Sequence, residues 1–182
     1  MVSKKQINDF IFMAKELGFS QSAPLNLNSL VFLPEVRNMC EANRCQHYNK
    51  SWSCPPACGS LEAITEKIKD FTIGIIVQCT GKLSDNFDYD SMVQTGKKQN
   101  ELFLLLVNML REKGHQILPM GAGGCNLCPS CSYPTTACRF PDSMMISMEA
   151  YGLLVTDVCE LSKLPYYYGP KTITYTSCIL IK

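Results

Sequence analysis

Apolar residues recur at helical spacing in several stretches of the chain. Between residues 3 and 18 they predict a helix that Ser3 and Gln6 cap and Gly18 ends, and the repeating positions are Ile7, Phe10, Ile11, Ala14 and Leu17. A longer helix, which Gly114 ends, is predicted from Leu102, Leu105, Leu106, Met109 and Leu110. Ser60 is expected to cap a third helix with a stripe of Leu61, Ile64 and Ile68. Helical patterning returns over residues 143–164, with a break near Gly152.

Other apolar stretches are typical of β-strands. They cover residues 30–33, 72–79, 116–120 and 171–181. The second stretch is almost unbroken, which predicts a strand that is buried on both faces. Because helices and strands alternate, we expect an α/β fold, a single layered domain with a small mixed sheet and flanking helices.

Two long stretches, residues 35–60 and 121–141, show no periodicity, and each contains four cysteines. Irregular segments of this length need a source of order other than backbone hydrogen bonding. Metal binding would provide it, so both are predicted to be metal-binding loops of one domain that spans residues 1–182.

Charge and composition exclude several classes of partner. The 17 Lys and Arg nearly cancel the 16 Asp and Glu, so no net field favours nucleic acid or an anionic membrane. The apolar run at residues 102–107 is far shorter than the roughly 20 residues that a membrane helix needs. The polar N-terminus does not resemble a secretory signal, and a cytoplasmic location is expected. In that reducing compartment, the 11 cysteines are more typical of metal sites than of disulfides.

The sharper of the two cysteine patterns is the second group, which consists of Cys125, Cys128, Cys131 and Cys138. Its C-x2-C-x2-C run resembles the bacterial ferredoxin pattern, in which three thiolates surround one face of an iron-sulfur cube. The fourth cysteine follows after six intervening residues where ferredoxins have three. Cys138 therefore either completes the same cluster or reaches across to another.

The first group consists of Cys40, Cys45, Cys54 and Cys58, and it matches no common zinc spacing. Trp52 and the adjacent prolines would shield a cluster there from water. A zinc fragment or unligated cysteines are the alternatives. His47 is expected not to be a ligand, because four cysteines are already present. Cys79, Cys159 and Cys178 lie in apolar surroundings and are predicted to be small buried residues.

These motifs resemble those of a known family. They are Cys40, Arg44-Cys45, Asn49, Trp52-Ser-Cys54-Pro-Pro, Gly124-Cys125 with its following cysteines, and Ser147-Met-Glu-Ala-Tyr-Gly. The chain is similar, from about Cys40 onward, to the domain of unknown function 2284 family, cysteine-rich predicted metal-binding proteins of bacteria and archaea. The resemblance implies metal binding by both cysteine groups in an anaerobic or facultatively anaerobic microbe. It implies no substrate.

The leading hypothesis is an iron-sulfur protein with two 4Fe-4S clusters that transfers electrons to or from a redox protein partner. One alternative is an iron-sulfur enzyme whose cluster has an open iron for a small substrate, and its catalytic residues are unknown. Another is a structural zinc-binding interaction module. Hydrolase chemistry is unsupported because no Ser/His/Asp arrangement is evident. The electron donor and acceptor, the reduction potentials and the oligomeric state stay open.

Overall fold

Five strands form one open mixed sheet in the order β1-β2-β5-β3-β4. The computed structural model describes residues 4–182, with side chains from residue 6 onward. The strands are β1 (Gln21–Pro24), β2 (Ile73–Lys82), β3 (Ile117–Gly121), β4 (Ile146–Ser147) and β5 (Thr172–Ile181). Neighbouring strands are antiparallel except β3 and β4, which run parallel. The α/β class and the mixed sheet that the sequence predicts are confirmed.

The centre of the sheet is the long antiparallel pair of β2 and β5. Its register runs from Ile73 opposite Ile181 to Lys82 opposite Thr172. Successive side chains of a strand point to opposite faces, and both faces of β2 are covered: Ile75 and Val77 are buried in one core, and Ile76 is buried in the other. This confirms the prediction of a strand buried on both sides.

Helices cover both faces of this sheet. They are α1 (Lys4–Leu17), α2 (Pro34–Asn38), α3 (Leu61–Ile68), α4 (Tyr89–Glu112) and α5 (Val155–Leu161). Phe10 and Ala14 of α1 pack with Phe103 and Leu106 of α4 in one core. The other core contains residues of α3 and α5 and the turn before α5, namely Ile64, Val158, Cys159, Met148, Tyr151 and Leu153.

Side-chain caps define where two of the helices begin. The Ser60 hydroxyl accepts a hydrogen bond from the Ala63 backbone N–H at 3.2 Å, as the sequence predicts for α3. Asp88 caps α4 in the same way, accepting from the Ser91 N–H at 3.1 Å. The predicted cap at Ser3 lies outside the described residues.

The predicted edge strand over residues 30–33 is wrong. Those residues are irregular and follow a 3-10 helix (Leu27–Ser29), while the edge strand is β1 (Gln21–Pro24), which lies earlier in the chain. The sequence of β1, Gln-Ser-Ala-Pro, has little apolar character, and its closing Pro24 is tolerated because the strand lies at an edge. The apolar residues at positions 30–33 therefore belong to a loop that packs on the core.

The helical prediction over residues 143–164 is only partly correct. Ile146–Ser147 pairs with β3, residues 148–152 form turns, and only Val155–Leu161 is helical. The spacing of Met148, Tyr151 and Leu153 imitates a helix because all three are buried against the sheet from an irregular segment. Residues 35–38, expected to be loop, belong to α2, which a 3-10 helix (Met39–Ala42) extends.

The predicted apolar face of α4 is largely confirmed, because Leu106 and Leu110 are fully buried and Leu102 packs against the same core. Leu105 departs from the prediction, since it is 51% exposed, and the helix begins already at Tyr89. Among the helices of residues 4–182, none combines the length and apolar content that crossing a membrane requires.

Candidate metal centres

The first cysteine group lies between α2 and α3. Cys40, Cys54 and Cys58 are half-buried and Cys45 is exposed. Burial raises the pKa of the Cys40 thiol, and negative charge at Cys45, Glu149 and Cys58 raises it further. Burial likewise raises the pKa of Cys54, with added contributions from Cys45 and Cys40. Each thiol of this group therefore lies within electrostatic reach of at least one other thiol of the group.

Tight turns fold the first segment back on itself. Asn43, Gln46 and Asn49 have positive φ angles of 49°, 62° and 53°. Asparagine is enriched in this left-handed conformation, since its short side chain can bond to nearby backbone. Asn43 does so, because its Oδ1 accepts from the Tyr48 N–H at 3.1 Å. These turns reverse the chain between Cys40 and Cys54.

The second group surrounds a cavity. Cys125, Cys128, Cys131 and Cys138 are all half-buried, and all four line one space of about 230 Å³. Burial raises the pKa of Cys125, and negative charge at Cys138, Cys128 and Cys131 also acts to raise it. Cys138 thus lies with the three closely spaced cysteines of its own group, although its spacing departs from the ferredoxin pattern.

Cys131 lies in an environment that favours a thiolate. Burial acts to raise its pKa, but hydrogen bonds from the backbone N–H groups of Tyr133 and Trp52 and from the Ser51 hydroxyl outweigh it. The pKa of Cys131 therefore lies below its ordinary value. Donors directed at sulfur stabilise the form that binds metals, and hydrogen bonds to sulfur also tune iron-sulfur clusters.

Trp52 joins the two cysteine-rich segments. Its indole N–H donates to the Thr136 carbonyl oxygen at 3.0 Å, and its ring meets that of Tyr133 edge to face at 4.9 Å. The Tyr133 hydroxyl in turn donates to Asn49 Oδ1 at 2.7 Å. The first segment consequently forms part of the wall of the second group.

A pair of buried serines continues this wall. The Ser51 and Ser53 hydroxyl oxygens are 3.0 Å apart. Ser53 Oγ accepts from the Cys125 backbone N–H at 3.4 Å and lies 3.9 Å from the Cys54 sulfur. One hydroxyl therefore contacts a cysteine of each group.

The two groups are neighbours. Cys58 of the first and Cys138 of the second line the same small cavity of about 260 Å³, together with Trp52 and Met144. Nothing in the spacing along the chain indicates this proximity, because residues far apart in sequence create it.

Arg37 is a functional candidate that sequence reasoning missed. It lies in the last turn of α2, and its Nη2 is 3.5 Å from the Cys58 sulfur and 2.5 Å from the Gly59 carbonyl oxygen. Burial raises the pKa of Cys58, while the positive charge of Arg37 acts to lower it. Arg37 precedes Cys40 by three positions, but a single arginine on a short helix carries no recognisable motif.

His47 belongs to the surroundings of the second group, although it stands between cysteines of the first. It lines the same cavity as the four cysteines of the second group. A Cβ at Gly124 would come within 3.0 Å of the His47 ring, so Gly124 provides room for that ring. The sequence-based expectation that His47 is not a ligand stays a prediction.

The three remaining cysteines are buried in the cores, as predicted. Cys79 is 1% exposed, and Cys159 and Cys178 are fully buried. Burial raises the pKa of Cys178, since a thiolate has no water or cation to stabilise it there. They take no part in either group.

Thiols arranged around a cavity fit a metal held by sulfur. Thiolate ligands favour zinc and iron-sulfur clusters, and both groups offer only cysteine in a set of four. Within residues 4–182, no group of three or more His, Cys, Asp or Glu side chains is arranged to hold a metal ion.

Fold and donor set together describe a cysteine-rich α/β protein with two neighbouring thiol groups. The model of the family described as predicted metal-binding protein, domain of unknown function 2284, matches residues 23–181. The chain belongs to this family, and the family description supports a metal-binding role. No curated protein matches the chain, and no solved structure does.

Proposed function

We propose that this protein holds two 4Fe-4S clusters, one at each cysteine group, and exchanges electrons with a redox protein partner. The observation that carries this proposal is the cavity of about 230 Å³ that all four cysteines of the second group line. A water molecule has a share of roughly 30 Å³ in the liquid, so the cavity has room for far more than a single ion. The C-x2-C-x2-C spacing of three of these cysteines favours a cube over zinc.

Hydrogen bonding at the second group supports the same proposal. Backbone N–H groups of Tyr133 and Trp52 act to lower the pKa of the Cys131 thiol. Donors of this kind are among the features that set the potential of iron-sulfur centres. A purely structural zinc site would gain no redox tuning from them.

The two groups lie close together, and this proximity favours a protein that transfers electrons between two centres rather than one with a single isolated centre. Cys58 and Cys138 line one cavity, so electrons would pass between centres across a shared wall. Cys45 is the exposed cysteine of the first group, and a partner protein would approach the first centre there. The formal net charge is only +1, so charge does not favour nucleic acid as that partner.

A separate cavity beside the first cysteine group favours the alternative of an enzyme with an open cluster iron. It measures about 340 Å³ and is lined by Cys40, Cys45, Arg44, Glu149 and Tyr166 over an apolar floor. A small substrate with an apolar body and a charged group would meet complementary chemistry there. Paramagnetic resonance spectra of the first centre that change with such a molecule would favour this alternative.

The proposal is tested by purification without oxygen, followed by assays of iron, acid-labile sulfide and zinc and a visible absorption spectrum. We expect about eight irons per chain, the content of two cubanes. Stoichiometric zinc in a colourless protein without iron or sulfide would instead establish the structural zinc module.

A further inference from the structure

Arg37 has a buried hydrogen-bond donor that no described residue accepts. Its Nη2 has two partners, the Cys58 sulfur at 3.5 Å and the Gly59 carbonyl oxygen at 2.5 Å. Its Nη1 is buried and has no partner. Guanidinium groups stay protonated in proteins, so this donor carries positive charge as well.

No carboxylate of the described residues forms an ion pair with Arg37, although the pKa of Glu62 is lowered by hydrogen bonds from its own backbone and from Ser60, together with the charge of Arg37. Within residues 4–182, the ion pairs join Lys69 to Glu66, Lys97 to Glu101 and Lys182 to Asp70, and Arg37 is in none of them. Arg37 is half-buried as a residue, but its Nη1 is a buried donor without an acceptor, which is unfavourable. An anionic group beside Cys58 would supply that acceptor and a counter-charge.

The fold holds the guanidinium in place. Pro34 begins α2, and the Arg37 backbone N–H donates to the Leu33 carbonyl at 3.2 Å. The Leu33 N–H donates to the Gly152 carbonyl at 2.8 Å, which anchors α2 to the turn after β4. Arg37 is therefore aimed at the first group from a fixed helix, and its contact with Gly59 fixes the other end of the side chain.

We propose that Arg37 is a positioning residue for the first centre, supplying the charge and donors that hold the metal-thiolate group of Cys40, Cys45, Cys54 and Cys58. A fixed positive charge stabilises the reduced, more negative form of a redox centre more than the oxidised form. Arg37 consequently raises the reduction potential of the first centre. This inference rests on the proposed function, because it requires a redox-active metal group there.

Three variants separate charge, geometry and general stability. Arg37→Gln removes the charge and most donors, and Arg37→Lys keeps the charge without the planar fork. Arg111→Gln is the matched control, since it removes a positive charge from the last turn of α4, which packs on the sheet face opposite α3. All are purified without oxygen, and their potentials are measured by redox titration followed by paramagnetic resonance.

For Arg37→Gln we expect one of the two centres to titrate at a more negative potential, or to be lost with about half the iron, while the other centre is unchanged. Arg37→Lys is expected to keep both centres with a smaller shift, and Arg111→Gln to match the wild type. Fully loaded Arg37→Gln with wild-type potentials would overturn the inference. Loss of iron from both centres would also overturn it, because Arg37 would then maintain the whole fold. Wild-type protein without iron would contradict the proposed function instead.

Discussion

The indole N–H of Trp52 donates a hydrogen bond to the Thr136 carbonyl oxygen at 3.0 Å, which links the two cysteine-rich segments directly. The backbone N–H of the same tryptophan acts to lower the pKa of the Cys131 thiol. One residue of the first segment thus shapes the second group through both its backbone and its side chain. The two groups are therefore expected to respond together to changes at this position.

Replacing Trp52 tests this link. Trp52→Phe keeps an aromatic ring against Tyr133 but removes the donor to Thr136, and it should lower the free energy of unfolding by about 1 kcal/mol. Trp52→Ala also removes the edge-to-face pair and should lose roughly a further 1 kcal/mol or more. Urea unfolding followed by far-UV circular dichroism measures both. Equal midpoints for Trp52→Phe and the wild type would show that the hydrogen bond contributes nothing.

The long elements of the fold could be predicted because one pattern dominates each of them. β2 is apolar on both faces and α3 has a serine cap, so both appear in the structure close to where they are expected. β1 could not be predicted, because its pairing with β2 depends on backbone hydrogen bonds that its Gln-Ser-Ala-Pro sequence does not signal. The spacing of buried residues around Tyr151 predicts a helix where the chain forms turns, because burial alone can imitate helical spacing.

Gly152 connects the Ser-Met-Glu-Ala-Tyr-Gly motif to the helix that carries Arg37. Its φ is +81°, and a Cβ there would lie 2.8 Å from the Leu33 carbonyl oxygen. Gly114 is a matched control, because its φ is +82° and a Cβ there would meet nothing within 4 Å. Gly114→Ala should cost about 1–2 kcal/mol for the left-handed backbone alone.

Gly152→Ala should cost about 1–3 kcal/mol more than Gly114→Ala, because the added methyl group must displace backbone. Urea midpoints of the two variants, measured side by side, give the difference. The same loss of unfolding free energy in both variants would mean that the backbone at Leu33 moves aside for the added methyl group without measurable cost. A larger loss in Gly152→Ala, together with weaker metal binding at the first group, would show that this turn also positions α2.

Asp88 gives the fold a pH dependence that is independent of the cysteines. Hydrogen bonds from the backbone N–H groups of Ser84 and Ser91 lower the pKa of Asp88 to about 2, from an ordinary value of 3.8. A lowered pKa means that the folded state favours the carboxylate, so this stabilisation is present above pH 3.8 and is lost as the pH falls through about 2.

Asp88→Ala should therefore be less stable than the wild type at neutral pH, and the difference should shrink as the pH falls towards 2. Asp88→Asn is the control, since asparagine caps helices without titrating. Carboxyl-carbon NMR of Asp88 measures the pKa directly, and a midpoint near 3.8 would contradict the hydrogen bonds in the structure.

The candidate site could be predicted only in part. Spacing identifies the eight grouped cysteines, and in the structure the four of the second group line one cavity. Contacts between the groups have no local signature, since Ser53 meets Cys125 and Arg37 meets Cys58 only after the chain has folded. The closeness of the two groups to each other is therefore a property of the tertiary structure.

Cys138 provides the clearest test of how the metal is shared. It lines one cavity with Cys125, Cys128 and Cys131 and another with Cys58. If it completes its own group, Cys138→Ser should lose about half of the iron, and the remaining centre should keep its paramagnetic resonance spectrum. Cys79→Ala is the control, because Cys79 is 1% exposed in β2 and should lose stability but no iron. Full iron content with unchanged paramagnetic resonance spectra in Cys138→Ser would exclude Cys138 as a ligand. Loss of both centres would show that the second group cannot lose a ligand without unfolding the wall that it shares with the first.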